Sequence, residues 1–210
     1  AAVLLVVAWR LIDFHHIKAI LTTSKRETSV LLTTFFATLF VELEFAIYVG
    51  VMLSLIIYLM RTSQPAVVTR VPDPASPNRH LVTDSNLPEC PQLKIVRIDG
   101  SLYFGAVDYV QEQLHHINER SPQQKHLLLI GNGINFVDIA GAELLAAEAR
   151  NRKARGGGLY LAKIKEEACN TLRRGGFRDL IGPENIFLTK GDAIAGIFQK
   201  LDTVIYARCD

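Results

Sequence analysis

Cysteine is scarce in this 210-residue chain, and the three cysteines stand far apart. Cys90, Cys169 and Cys209 show no spacing typical of a metal site, and their odd number does not suggest a disulfide framework. Such cysteines fit a reducing compartment. The sequence therefore predicts no metal ion and no cofactor in this part of the protein.

An excess of positive charge is missing as well. The chain has 23 Lys and Arg residues against 21 Asp and Glu residues, which is a formal net charge of +2. Nucleic-acid-binding domains concentrate basic residues on one face, often with aromatic residues between them, and the sequence contains no such stripe. We therefore expect no nucleic-acid partner.

Complete nucleotide-binding motifs are absent too. The segment 127–136, LLLIGNGINF, begins like the glycine-rich turn of a dinucleotide site, but Phe136 stands in place of the third glycine. The three glycines at 156–158 lack the lysine and hydroxyl residue of a phosphate-binding loop, and they are typical of the end of a helix. Nothing in the sequence favours an enzyme.

Apolar residues, in contrast, are abundant, and most of the apolar runs fall in the first 60 positions. The mean hydropathy is +0.19. Residues 28–41 and 45–60 carry no charge, and Glu42 and Glu44 separate them. Each run is shorter than the roughly 20 residues that span a bilayer, and together they are too long for one crossing. We predict a transmembrane helical hairpin over 27–61. Two buried helices of a soluble protein are the alternative, which the lack of a polar stripe disfavours.

Residues 1–26 are predicted to contain the end of a membrane helix and then an amphipathic helix. Leu11, Phe14, Ile17 and Leu21 repeat at helical spacing, which suits a helix lying at the cytoplasmic interface of the bilayer. The first residues already form an apolar run, and no Met begins the chain. We therefore expect the native protein to extend further upstream.

Basic residues flank the predicted hairpin on both sides, whereas its turn is acidic. The flanking residues are Arg10, Lys18, Lys25, Arg26, Arg61 and Arg70. Because basic residues are enriched in cytoplasmic segments, we expect both ends of the hairpin in the cytoplasm. The sequence thus predicts a multi-pass protein of the cell inner or plasma membrane, in contact with the lipid bilayer, with the residues after 61 in the cytoplasm.

Proline marks a linker after the predicted hairpin. Six of the eight prolines lie within 62–92. Proline interrupts helices and stiffens connectors, so we predict a linker over this segment, with a short edge strand at 79–83.

The remaining segment, 93–205, alternates between strand and helix patterns. The predicted strands are 93–98, 126–131, 159–164 and 185–189, with helices between them. This order implies an α/β domain with a small mixed or parallel sheet and helices packed on it. Glu148 and Arg152 are four residues apart on one predicted helix, and we expect their ion pair on its exposed face.

The segment 133–145, GINFVDIAGAELL, reads as the end of a buried strand, a turn and the start of that helix. Asp138 is predicted to cap the helix N-terminus. The small residues Ala140 and Gly141 would let another surface approach closely, and the positive end of the helix could receive an anion or an acidic group of a partner. A capped helix with no further role is the alternative.

Three segments of the sequence resemble one transporter family. Residues 34–65, TFFATLFVELEFAIYVGVMLSLIIYLMRTSQP, resemble the last two membrane helices of the SulP anion permeases, the sulfate permease group. Residues 96–114, VRIDGSLYFGAVDYVQEQL, and 135–145, NFVDIAGAELL, resemble the STAS domain that follows those helices, named for sulfate transporters and anti-sigma factor antagonists. The chain therefore resembles the C-terminal part of a SulP transporter over nearly its whole length.

The resemblance implies a secondary active carrier of an anion in the class of sulfate, bicarbonate, chloride and dicarboxylates. In that family the anion site lies between earlier membrane helices, so no residue of this chain is expected to bind the substrate. The resemblance also implies a homodimer, a STAS domain that serves assembly or regulation, and a cytoplasmic regulatory protein as a further partner. A membrane-tethered STAS interaction module without transport activity is the alternative.

In the soluble antagonists of this family, the turn that resembles 138–141 carries a phosphorylated Ser or Thr at the position of Ala140. Alanine has no hydroxyl, so this turn is not expected to be switched by phosphorylation, which favours a docking role within a transporter. The residues predicted to face a partner are Asp138, Ile139, Ala140 and Gly141, with Tyr103, Phe104 and Gly105 in the neighbouring loop. Burial of the two aromatic rings under the domain's own helix is the alternative.

Overall fold

The computed structural model describes residues 2–40, 42–76, 80–84, 86–202 and 205. The chain divides into two compact units, residues 1–61 and residues 62–210. Among the described residues, the first unit contains only helices, and the second is built on a mixed β-sheet.

Four helices make up the first unit. They are α1 Ala2–Leu11, α2 Phe14–Thr23, α3 Lys25–Phe40 and α4 Leu43–Thr62. Asp13 caps α2, since its Oδ1 accepts a hydrogen bond from the backbone N–H of His16 at 3.0 Å. Helices α3 and α4 approach each other closely at Gly50. A Cβ on this residue would lie only 2.8 Å from Thr34 Oγ1.

Helix α4 has the length and composition of a membrane-spanning helix. Among the described residues, Glu44–Thr62 is the one helical segment long and apolar enough to cross a bilayer, with a mean hydropathy of 1.8. Its large apolar side chains, such as Ile47, Val51 and Leu55, are exposed. Helix α3 has 16 residues. At 1.5 Å per residue that is about 24 Å, less than the roughly 30 Å of a bilayer core, so the second crossing stays a prediction.

The second unit is built on a six-stranded sheet. The strands are β1 Ala66–Pro72, β2 Leu81–Val82, β3 Leu93–Leu102, β4 His126–Val137, β5 Gly158–Ala162 and β6 Ile186–Phe187. They lie in the order β2-β1-β3-β4-β5-β6. Strand β1 runs antiparallel to β2 and β3, whereas β3 to β6 are parallel to one another. The predicted small mixed sheet is confirmed.

Helices cover both faces of this sheet. They are α5 Phe104–Arg120, α6 Ile139–Ala154, α7 Glu166–Arg174, α8 Phe177–Ile181 and α9 Lys190–Phe198, and a 3₁₀ turn spans Pro183–Asn185. Because side chains alternate across a strand, the sheet has two cores. One joins strand residues such as Val96 and Leu129 to helices α5 to α8. The other joins Leu128 and Ile130 to Ile197 of α9.

The segment predicted as a linker contributes two strands to the sheet. Strand β1 pairs with β3 over five positions, from Ala66 opposite Asp99 to Arg70 opposite Ile95. The prediction of a plain connector is therefore wrong for this part of 62–92. Proline is tolerated at strand ends, and Pro72 is the last residue of β1. The predicted edge strand is present as β2, while residues 77–79 and 85 lie outside the described residues.

The ion pair predicted on an exposed face is buried instead. Arg152 Nε donates to Glu148 Oε1 at 2.7 Å, and the two side chains are only 1% and 9% exposed. Arg152 also donates to the backbone oxygen of Gln124 at 2.9 Å and to Asn118 Oδ1. The exposed-face prediction is wrong because α6 packs against α5, α8 and the sheet. Burial lowers the pKa of Arg152, and the hydrogen bond to Glu148 opposes that shift.

Candidate functional site

Asp138 joins the starts of two helices at the carboxyl ends of β3 and β4. Its Oδ1 accepts a hydrogen bond from the backbone N–H of Gly141 at 2.8 Å, which confirms the predicted cap of α6. Its Oδ2 accepts from the backbone N–H of Phe104, also at 2.8 Å, at the start of α5. Tyr103, the residue before α5, makes no side-chain cap of its own. One carboxylate therefore serves two helix N-termini.

The two helix starts meet because β3 and β4 are parallel neighbours. Leu102, the last residue of β3, pairs with Val137, the last residue of β4. The backbone N–H of Asp138 donates to the carbonyl oxygen of Leu102 at 3.0 Å. A Cβ on Gly141 would clash with that same oxygen, so glycine is required there. The surface that approaches this small residue is therefore the chain's own β3.

Apolar side chains at this junction face outward. Phe104 is 82% exposed, Ile139 66% and Phe136 46%. We call these three residues the apolar rim. The predicted alternative, burial of the loop aromatics, holds only in part, since Tyr103 is half-buried and Phe104 is not. Large apolar groups exposed side by side are typical of contact surfaces.

The ring of Tyr103 connects the rim to the rest of the second unit. It lies 6.0 Å from the ring of Phe136, and its hydroxyl is 3.1 Å from Thr62 Oγ1. A Cβ on Gly105 would come within 2.8 Å of this ring, so the glycine makes room for it. Phe136 is missing from the predicted site residues, since the sequence motif marks it only as a replaced glycine. Strand alternation gives no signal for Phe136, because Ile134, two residues earlier, is buried.

All seven predicted site residues lie together at the carboxyl ends of β3 and β4. They are Tyr103, Phe104, Gly105, Asp138, Ile139, Ala140 and Gly141. Both carboxylate oxygens of Asp138 accept from the chain's own backbone, so the negative charge that a helix N-terminus attracts is already in place. The geometry favours contact through the apolar rim over binding of an anion at this turn.

Among the His, Cys, Asp and Glu residues that the structure describes, no group of three or more could hold a metal ion. His115 lies on the outer side of α5, where its Nε2 is 3.2 Å from Glu119 Oε1. Burial raises the pKa of the Cys169 thiol, which disfavours a reactive thiolate.

Comparison with known families identifies the second unit. A model of the STAS domain matches residues 84–193. The matched range contains strands β3 to β6, helices α5 to α8, and every predicted site residue.

Similarity to known proteins extends beyond that range. Sulfate transporter 1.2 of Arabidopsis thaliana is 24% identical over 216 residues, which cover 98% of this chain and 33% of that protein. The chain thus spans about a third of the length of the relative.

Two solved transporter structures share the fold. The structure of SLC26A9 superposes with a TM-score of 0.79 at 18% identity, covering 90% of this chain and 33% of that one. The murine anion transporter Slc26a9 in its inward-facing state gives a TM-score of 0.77 at 21% identity, covering 90% and 31%. At these identities the likeness concerns the fold.

Proposed function

The chain belongs to the STAS domain family, and on that premise we propose that it is the C-terminal segment of a secondary active anion transporter of the SulP type. The transported anion belongs to the class of sulfate, bicarbonate, chloride and dicarboxylates. The STAS domain serves assembly or regulation of the carrier. No residue of this segment belongs to the transport site, because the family's transport site lies between helices upstream of it.

The observation that carries this proposal is the continuity of the similarity. It runs through the apolar helix α4 as well as the STAS domain, since 98% of the chain aligns with a protein named as a sulfate transporter. A STAS protein without membrane helices would align only over the second unit. Because the chain spans about a third of that relative, the transport activity, substrate and partners are those proposed for the whole protein.

We propose a multi-pass protein of the cell inner or plasma membrane, with the residues after 61 in the cytoplasm. Helix α4 has Glu44 in its first turn and Arg61 in its last. Basic residues are enriched on the cytoplasmic side of membrane helices, so this polarity supports a cytoplasmic C-terminal end. The exposed apolar side chains of α4 support a lipid environment around it.

The apolar rim supports a docking role for the STAS domain. Phe104 and Ile139 stay exposed although they are large, and Ala140 leaves the turn without a hydroxyl for phosphorylation. We propose that the rim contacts a protein surface within the transporter assembly, which is a homodimer. The alternative partner of the rim is a cytoplasmic regulatory protein, and an experiment should distinguish it from a surface of the transporter itself.

Reconstitution of the full-length gene product into proteoliposomes tests the proposal. We expect saturable uptake of labelled sulfate, bicarbonate or a dicarboxylate. The absence of uptake of every anion, from protein shown to be folded, would favour the second candidate, a membrane-tethered interaction module without transport activity. That candidate is retained because the STAS domain has an exposed contact surface of its own.

A further inference from the structure

A cavity lined by basic side chains lies on the α9 face of the sheet. Its volume is about 130 Å³, and its polar lining consists of Arg70, Arg97, Lys163, Lys190 and Asn132. Two aliphatic side chains complete the lining. Among the described residues, the lining includes four basic side chains and no carboxylate.

Strand register brings the two arginines together. Arg70 of β1 lies opposite Ile95 of β3, and side chains two positions apart on a strand share a face. Arg97 therefore lies on the same face as Arg70, in the diagonal position across the strand pair. Ile130 of β4 pairs with Arg97 and belongs to the core under α9, which assigns the cavity to that face.

The lysines reach the cavity from the carboxyl end of β5 and the start of α9. Lys163 directly follows β5, and Lys190 is the first residue of α9. The carboxyl ends of parallel strands are where open α/β sheets hold their ligands. The cavity is therefore placed where this kind of fold accommodates a bound group.

Arg70 supplies a donor that the described part of the chain leaves unused. Its Nε is buried and has no hydrogen-bond partner among the described residues. Buried donors in folded proteins are almost always satisfied, because burial without a partner costs free energy. Arg97 is partly neutralised, since its Nε and one terminal nitrogen contact Asp99 Oδ1 at 2.8 and 2.7 Å. Its remaining N–H groups can donate to a second acceptor.

The backbone at Lys163 is strained. Its φ is +56°, and it is the one non-glycine residue with a positive φ among the described residues. The left-handed conformation is unfavourable for a lysine, and glycine would avoid this cost. Strain of this kind is found where a side chain is needed at a functional site. The side chain of Lys163 is part of the cavity lining.

We propose that this cavity binds a free tetrahedral oxyanion, sulfate or phosphate. Guanidinium groups bind such oxyanions through paired N–H donors, and the lysines add positive charge. The volume of about 130 Å³ is well below the roughly 300–1,000 Å³ of pockets for larger organic ligands, which favours an inorganic anion over a nucleotide. The proposal concerns the STAS domain alone and does not depend on which anion the whole protein transports.

Equilibrium dialysis of the detergent-solubilised chain against labelled sulfate and against labelled phosphate, at constant ionic strength in chloride, tests this site. We expect saturable binding of one anion per chain. Arg70→Leu should weaken it about tenfold or more, the loss expected when a charged hydrogen-bonding partner of a desolvated anion is removed. Arg174→Gln, an equal change of charge on the exposed end of α7, should leave binding unchanged.

Lys163→Gly separates binding from folding. This variant removes one cavity charge and relieves the strained φ, so we expect weaker binding with no fall in the unfolding temperature. It therefore decides the question even if Arg70→Leu does not fold. No saturable binding, equal weakening by Arg174→Gln, unchanged affinity in Lys163→Gly, or displacement of the anion by chloride at matched ionic strength would each overturn the proposal.

Discussion

Asp138 accepts a hydrogen bond from the backbone N–H of Phe104, which lies 34 residues earlier in the chain. With its second oxygen the same carboxylate caps its own helix at Gly141. The starts of α5 and α6 are thereby fixed to one point, and the apolar rim beside it has a defined arrangement. The contact surface proposed for the STAS domain depends on this double cap.

Substitution of Asp138 measures how much the double cap contributes to the free energy of unfolding. Asp138→Ala should lower the free energy of unfolding of the second unit by about 2 kcal/mol, because each lost cap costs about 1 kcal/mol. Asp138→Asn keeps one acceptor oxygen and should cost about half as much. Denaturant unfolding in detergent, followed by circular dichroism, gives both values.

The matched control for that series is Asp108→Ala. Asp108 is exposed on α5, so its removal should change the free energy of unfolding by less than about 0.5 kcal/mol. Equal losses for Asp138→Ala and Asp138→Asn would contradict a carboxylate that serves two helices.

A methyl group at Gly141 should disrupt the junction. Gly141→Ala places its Cβ against the Leu102 carbonyl, a backbone group that cannot move aside, and should cost about 1–3 kcal/mol in unfolding free energy. Gly191→Ala is the control, because the nearest atom to its Cβ would be 3.8 Å away and Ala favours a helix. If both variants unfold at the same denaturant concentration, the close approach is not a constraint.

Removal of Arg152 alone should be costly because it leaves a buried carboxylate without its partner. Arg152→Met should lower the free energy of unfolding by about 3 kcal/mol or more. The double variant Arg152→Met, Glu148→Met should lose less than the sum of the two single variants, since it removes both charges. Additive losses in this double-mutant cycle, measured by thermal or denaturant unfolding, would show that the pair is not coupled.

Stability should fall as the pH drops below about 6.5, because His126 is buried as the neutral form. Burial lowers the pKa of His126, and Lys200, Arg152 and Lys125 lower it further. Its Nδ1 lies 3.1 Å from the Tyr160 hydroxyl. The unfolded chain binds a proton at a higher pH than the folded chain does, so acid favours unfolding between the two pKa values.

Comparison of unfolding temperatures at pH 7.5 and 5.5 tests this effect. His126→Phe should show a smaller difference between the two pH values than the unchanged protein. His115→Gln should keep the original difference, because His115 is exposed. A difference that is the same in all three proteins would show that another group is responsible.

The sheet and its helices could be predicted because their signal is local. Strand β4 begins with a continuous apolar run, and α5 repeats apolar residues at helical spacing. Strand β1 could not be separated from a linker, since its seven residues gain their stability from pairing with β3 about 30 residues later. Spacing likewise identified the pair Glu148 and Arg152 but not its burial, which depends on how α6 packs against α5 and α8.

In the site, too, features with a local sequence signal could be predicted, whereas features that depend on distant contacts could not. The cap of Gly141 by Asp138 follows from a motif of four residues, whereas the bond to Phe104 requires the pairing of β3 with β4. Phe136 joins the rim because the end of β4 turns its side chain outward, which alternation in the sequence does not reveal. The basic cavity combines residues of β1, β2, β3, β4 and α9 with Lys163, which directly follows β5, and no sequence motif links them.

The STAS domain is proposed to serve the assembly or regulation of an anion carrier. To test this role, initial rates of anion uptake in proteoliposomes are compared for the full-length protein and a protein truncated after residue 62. Truncation should begin there because β1 is part of the sheet, so a later cut would leave an unpaired strand. We expect saturable uptake by the full-length protein and, at equal insertion, a clearly lower rate or a lost dimer for the truncated protein. An unchanged rate and an unchanged dimer after truncation would contradict it.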